Sequence, residues 1–223
     1  MAIRYVPKIT GELRAHILTM PEEIYQASGM VVLGKRIKSV VFSTDIAIIR
    51  NCNADAVLAV YPFTPQPAIS HPIISASDIP VFCGVGGGTT TGLRTVRLAE
   101  DAEGQGALGV VVNAPLPNDT VRMIADVVDI PIVATVLNMQ TDIDARLKAG
   151  VSILNISAAD QTPEVVRHIR RQYPEVPIIA TGGPTADSIL RTVDAGANTI
   201  SYTPPSTKIL FGSMMERYRK AGY

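Results

Sequence analysis

The 223-residue sequence predicts an α/β protein, a closed (β/α)8 TIM barrel with an N-terminal extension. Two observations carry that prediction. From residue 39 onward, short runs rich in Val and Ile alternate with stretches of helical pattern, and the runs are almost continuously apolar, as strands covered on both faces must be. One phrase also recurs: Asp78-Ile79-Pro80-Val81-Phe82-Cys83 returns as Asp129-Ile130-Pro131-Ile132-Val133-Ala134-Thr135 and again as Glu175-Val176-Pro177-Ile178-Ile179-Ala180-Thr181. Two strands and two helices fit between successive copies, so the repeating unit is a βαβα quarter of a barrel.

The strand candidates are 39–44, 56–61, 80–85, 107–113, 131–137, 151–157, 177–181 and 199–203. Proline heads three of them, where the first residue need not donate to a ladder. Helices are expected over 46–51, 93–102, 118–128, 141–148, 162–172 and 185–193, most of them opened by Asn, Asp or Thr. Thr162-Pro163-Glu164 places proline in a first turn. Gly150 and Gly196 follow the ends of two helices, where the chain turns through positive φ. The rival is an open doubly wound sheet, but no G-x-G-x-x-G fingerprint follows the first strand.

Residues 1–38 fall outside the eightfold count, so the chain divides into an extension, 1–38, and a barrel, 39–223. Thr19-Met20-Pro21-Glu22 resembles a capping box, so a helix over 21–28 is expected. Either 15–18 or 30–33 would supply an extra strand. The extension is expected to close the bottom of the barrel or to pack against a partner subunit, and a homo-oligomer is expected. Segment 62–67, with prolines at 62, 65 and 67, reads as a rigid loop.

Composition narrows the function classes. Twenty basic residues balance twenty acidic ones without a basic run, so no nucleic-acid partner is expected. No apolar stretch is long enough for a membrane span or signal peptide, and a cytoplasmic protein is expected. Cys52 and Cys83 are too few and too far apart for a disulfide framework or metal knuckle.

In this fold the site lies where the strands end at their C-termini. Thr181-Gly182-Gly183 closes the seventh strand and Pro184-Thr185 opens a helix, so glycine amides and a helix N-terminus can meet an anion there. Ser206, Thr207 and Lys208 follow the eighth strand. Residues 177–207 resemble the ribulose-phosphate-binding barrels, the superfamily of thiamine-phosphate synthase, sugar-phosphate epimerases and ketodeoxy-phosphogluconate aldolases. The last third is also similar to the regulatory proteins of the glycerol uptake operon antiterminator type. The resemblance implies a small phosphorylated metabolite as ligand, held by loops seven and eight. The chain departs from the pattern at Tyr202-Thr203-Pro204-Pro205, where two prolines replace amides that would hold phosphate.

A second glycine loop, 84–92, opens onto three threonines. Gly87, Gly88 and Thr89 there form either an anion nest, a lid or a tight turn. Asn113, Asn138 and Asn155, with Thr135 and Ser157, supply neutral polar groups at other tips. Asp45, Tyr61 and Cys83 are the candidates for acid–base or nucleophilic work, although Asp45 also suits a helix cap. No Schiff-base lysine falls within a strand beyond the bottom of the first, and no histidine falls at a strand end, so neither a metal nor a cofactor is expected. The leading reading is a metal-independent lyase, isomerase or hydrolase acting on a phosphorylated metabolite. The alternatives are a non-catalytic regulator that binds such a metabolite and a structural barrel without a site.

Overall fold

The computed structural model describes residues 7–12 and 16–221. Eight parallel strands close into a barrel in sequence order: β3 (Ser39–Phe42), β4 (Ala56–Ala59), β5 (Val81–Gly86), β6 (Gly109–Val112), β7 (Ile132–Val136), β8 (Ile153–Ile156), β9 (Ile178–Thr181) and β10 (Thr199–Tyr202), with β10 pairing back onto β3. All eight expected strands are present, and the open-sheet alternative is excluded by the β10–β3 pairing of Ile200 with Ser39 and Tyr202 with Val41. Closure leaves no edge strand unpaired.

Helices α1 (Ile46–Arg50), α2 (Pro67–Ala76), α3 (Leu93–Gly104), α4 (Asn118–Ala125), α5 (Ile143–Lys148), α6 (Thr162–Gln172), α7 (Ala186–Asp194) and α8 (Thr207–Ala221) follow the strands in turn. Helix α2 begins at Pro67, so the rigid loop ends one residue earlier than expected. Pro67 is tolerated at the first helical position because its missing N–H has no partner there in any helix. Pro72 inside α2 hides its pattern in the sequence. Helix α8 differs from the others, since none of its residues is buried.

Strand alternation sorts the core into two shells. Val41, Val57, Val81, Cys83, Val110, Ile132, Ala134, Leu154, Ile156, Ile178, Ala180 and Ile200 face the helices. Val40, Ala56, Leu58, Phe82, Val111, Val133, Ile153 and Ile179 fill the barrel interior. Phe82, fully buried, is the largest of these inner side chains. Gly109 on the neighbouring strand makes room for it, because a Cβ there would lie 2.9 Å from the Phe82 ring.

Residues 30–37 form an antiparallel hairpin, β1 (Met30–Val32) with β2 (Lys35–Ile37). Met30, Val32 and Ile37 join the inner cluster and cap it from the N-terminal end. The expected helix over 21–28 is a short 3-10 helix, Glu22–Gln26, and the expected capping box is absent: Pro21 stands at the N-cap with no side-chain cap bond. Of the two expected extra strands, 30–33 corresponds to β1. For 15–18, Ala15 lies outside the described residues and Leu18 makes an isolated bridge with Cys52. At the same end, Arg170 donates to the carbonyls of Pro174, Val176 and Gly196 and to Asn198 Oδ1, tying α6 to the bottom loops.

Removing the inner ring of Phe82 leaves a cavity that a closed barrel cannot collapse around. Phe82→Ala is therefore expected to cost roughly 3–5 kcal/mol in urea unfolding, with the parallel-barrel circular dichroism retained below the transition.

Candidate active site at the barrel mouth

The inner face changes character one layer above Phe82 and Val111. By strand alternation the next inward positions are Phe42, Val60 and Gly84 on one side. On the other are Asn113, Thr135, Asn155, Thr181 and Ser201, a polar arc across five consecutive strands. Thr135 Oγ1 donates to Asn113 Oδ1 at 2.9 Å, and Asn155 Nδ2 donates to Thr135 Oγ1 at 3.4 Å.

A cavity of about 480 Å3 opens above this layer, lined by Val60 to Pro65, Gly84, Gly86 to Thr90, Asn113 and Ala114. The glycine loop forms its rim. The amides of Gly87 and Thr90 bond to each other's carbonyls, closing a tight turn. The Gly88 and Thr89 N–H groups at its tip have no hydrogen-bond partner among the described residues. Gly87 sits at φ +122°, and a Cβ on it would lie 2.6 Å from the Asn113 carbonyl oxygen, so only glycine lets the loop lie against β6. Tyr61 Oη accepts from the Gln66 amide, which leaves its proton free to donate. Burial pushes the Tyr61 phenol above its ordinary pKa, so it stays protonated. The rim thus offers donors.

The structure brings Tyr61, Gly87, Gly88, Thr89 and Asn113 to this one cavity and joins Asn155 to it through Thr135. The other expected site residues lie elsewhere. Cys83 points into the shell between barrel and helices, 2% exposed, and burial pushes its thiol up to about 11. It has neither the access nor the thiolate a nucleophile needs. Asn138 accepts from the Gln140 amide and lines a separate groove with His168 and Tyr173. Asp45 caps α1, accepting from the Ala47 and Ile48 amides, and also accepts from Thr207 Oγ1 at the start of α8. The Thr207 bond is the main cause holding its carboxyl below the ordinary value of 3.8; burial opposes this, and the two amides assist.

Thr181 faces the barrel interior, with Gly182 packed so closely that a Cβ would meet Ile200 and Ile189. Gly183 has φ +77°, and its Cβ position is occupied by the Ser188 side chain. A reciprocal capping box engages the Thr185 and Ser188 amides. Ser206 caps α8 through Ile209, and Lys208 is exposed. Phe63 and Thr64, on the cavity wall, were not singled out in the sequence; the only signal was the length of the proline-rich loop that carries them. Among the described residues no three His, Cys, Asp or Glu side chains stand together as a metal site.

No family model and no curated protein sequence matches the chain. Solved structures do. Phosphonopyruvate hydrolase in complex with oxalate and Mg++ is similar at 15% identity and TM-score 0.62, covering 90% of this chain and 87% of that one. The 2,3-dimethylmalate lyase of the PEP mutase/isocitrate lyase superfamily is similar at 15% identity and TM-score 0.63, covering 90% and 86%. Dihydrodipicolinate synthase DapA-2 from Bacillus anthracis is similar at 13% identity and TM-score 0.60, covering 82% and 77%. At these identities the likeness carries the barrel fold alone. None of the three is one of the families that the loop-seven phrase resembles.

Two outcomes follow from the placement of Cys83 and Asp45. A thiol reagent should modify the partly exposed Cys52 in the native protein, slowly because burial raises that thiol too, and leave the buried Cys83 untouched until unfolding. The depressed Asp45 pKa contributes stability that is complete above pH 3.8 and lost as pH falls through the lower folded value. Thr207→Val should move the Asp45 carboxyl pKa upward toward 3.8 in a carbon-detected NMR titration.

Proposed function

We propose that this barrel binds a small phosphorylated metabolite in its mouth cavity and acts on it as a lyase or hydrolase. The observation that supports this most is the donor-rich rim: the exposed Gly88 and Thr89 amides on a glycine turn, unpartnered among the described residues, line one cavity of about 480 Å3 with Tyr61 and Asn113. Such a nest of amides suits phosphate oxygens. The ligand is neutralised there by dipoles and hydrogen bonds, since the cavity lining holds no lysine or arginine. The structural neighbours, a phosphonopyruvate hydrolase and a lyase, fit the same reaction classes.

In this reading loop three is the primary anion site. Loop seven is less suited, because the capping box of α7 takes the Thr185 and Ser188 amides and Ser188 fills the space beside Gly183. Thr207 is engaged by Asp45, and Asp45 serves as an anchor for α8 rather than as acid or base. Tyr61 is the proton donor available to a leaving group.

One observation favours a second reading, a phosphometabolite-binding regulator without turnover. Tyr61 is the only titratable side chain in the cavity lining, and neutral polar groups orient ligands better than they move protons.

Amide NMR during titration with inorganic phosphate and propyl phosphate tests the site. Binding should shift Gly88 and Thr89, and Asn113→Leu should weaken it about tenfold or more, the scale of one charge-assisted hydrogen bond. Shifts confined to Gly183 and Ala186, abolished by Gly183→Asp, would move the site to loop seven; no response at either loop would defeat the reading. Incubation with a phosphometabolite mixture followed by mass spectrometry separates enzyme from regulator, since only an enzyme consumes its ligand.

A further inference from the structure

One side chain in the polar arc is left incomplete by the protein. Asn155 is 7% exposed, and its Oδ1 has no hydrogen-bond partner. Buried amide oxygens in folded proteins are nearly always served by a donor, so an acceptor of this kind calls for one. The neighbouring hydroxyl cannot provide it. Thr135 has a single proton, given to Asn113 Oδ1, and its oxygen already receives the Asn155 Nδ2 proton. The hydrogen bonds run in one direction, from Asn155 through Thr135 to Asn113. Neither Thr181 nor Ser201, farther along the same arc, donates to Asn155.

The position of this acceptor gives it meaning. Asn155 follows Ile153 by one inward step on β8, so its amide projects into the barrel above the apolar plug. It is joined to the cavity-lining Asn113 by two hydrogen bonds of 3.4 and 2.9 Å, a separation a metabolite of a few carbons spans. The two ends of the arc differ chemically. At the Asn113 end the Oδ1 is occupied, so its Nδ2 is left to donate, alongside the Gly88 and Thr89 amides. At the Asn155 end an oxygen waits to accept. Asn155 is not itself among the residues lining the cavity, so reaching Oδ1 takes a rotation of its amide that gives up the 3.4 Å bond from Nδ2 to Thr135, the weaker of the two in the chain.

We propose that Asn155 is a specificity-determining residue that accepts a hydrogen bond from a hydroxyl or amino group of the ligand, while the ligand's anionic end lies at Gly88, Thr89 and Asn113. This rests on the mouth-cavity reading above and adds to it a second functional group and the residue that reads it. A site built to accept from a hydroxyl discriminates strongly against the analogue without one, because the buried oxygen is then left unpaired.

The test compares glycerol 3-phosphate with propyl phosphate, matched in anion and chain length, and includes glycerol alone. Affinity and the side-chain amide resonance of Asn155 are read by NMR on the wild-type chain. Glycerol 3-phosphate should bind at least about tenfold more tightly than propyl phosphate and shift the Asn155 amide. In Asn155→Leu the preference for glycerol 3-phosphate over propyl phosphate should vanish, read as the ratio of the two affinities; the wild-type comparison stands whether or not that variant folds. Equal wild-type affinities for the two esters, with Gly88 and Thr89 shifted, would overturn the role of Asn155 and leave the anion site standing. A shift of Asn155 by glycerol with no response to either ester would support the role of Asn155 and overturn the anion site. An Asn155 amide unmoved by every probe, its oxygen served by a buried water alone, would overturn the inference.

Discussion

Pairing of β10 with β3 makes the barrel, and the barrel makes the site. Once Ile200 lies beside Ser39 and Tyr202 beside Val41, every strand has two neighbours, and alternate residues are committed to a space that only other strands can fill. That space must be dry and packed below and open above. Phe82, Val111, Val133, Ile153 and Ile179 satisfy the first requirement, with Met30, Val32 and Ile37 of the hairpin covering the lower end. At the next inward positions of β6 to β10 the sequence turns to Asn113, Thr135, Asn155, Thr181 and Ser201, three of them still buried. One inward step along each strand thus separates the apolar plug from a polar layer at the C-terminal end of the barrel.

The two halves of the mouth are unequal. Strands β3 to β5 contribute Phe42, Val60 and Gly84, where a Cβ would crowd Ala59 and Val60 of the neighbouring strand. The glycine loop that follows folds back so closely on the end of β6 that a Cβ on Gly87 would lie 2.6 Å from the Asn113 carbonyl oxygen. Strands β6 to β10 contribute the hydrogen-bonding groups. The cavity is therefore bordered by a backbone-lined rim on one side and, on the other, by Asn113, the end of an ordered amide–hydroxyl–amide chain. Preorganised dipoles of this kind need little rearrangement on binding, an advantage over flexible charged side chains.

Much of this could be read from the residues in order. The eight strands were legible because burial on both faces leaves runs such as Val110-Val111-Val112 with no other use, and the recurring acid-aliphatic-proline phrase set the period. Asn113, Gly87 to Thr89 and Tyr61 were legible as strand-tip residues of a barrel. The hairpin was legible only as one extra strand, because β2, Lys35-Arg36-Ile37, has a single buried residue and no pattern of its own. Helix α2 was obscured by Pro72. The glycine pair at 182–183 attracted attention for its motif, yet each glycine also answers a local packing demand from Ile200, Ile189 or Ser188. Cys83 was ambiguous by one residue, since a strand tip presents its neighbours alternately to the mouth and to the helices.

The sequence by itself determined the barrel and the scarcity of acid–base groups at the C-terminal ends of its strands. Both follow from local periodicity and from which residue types are present. Only the tertiary structure decided which polar tips meet. Asn113, Thr135 and Asn155 come from separate strands, and their hydrogen bonds depend on the register of β6, β7 and β8. The orphaned oxygen of Asn155 exists only because the one nearby hydroxyl proton is spent elsewhere. That is a property of three side chains in space, and no spacing along the chain encodes it.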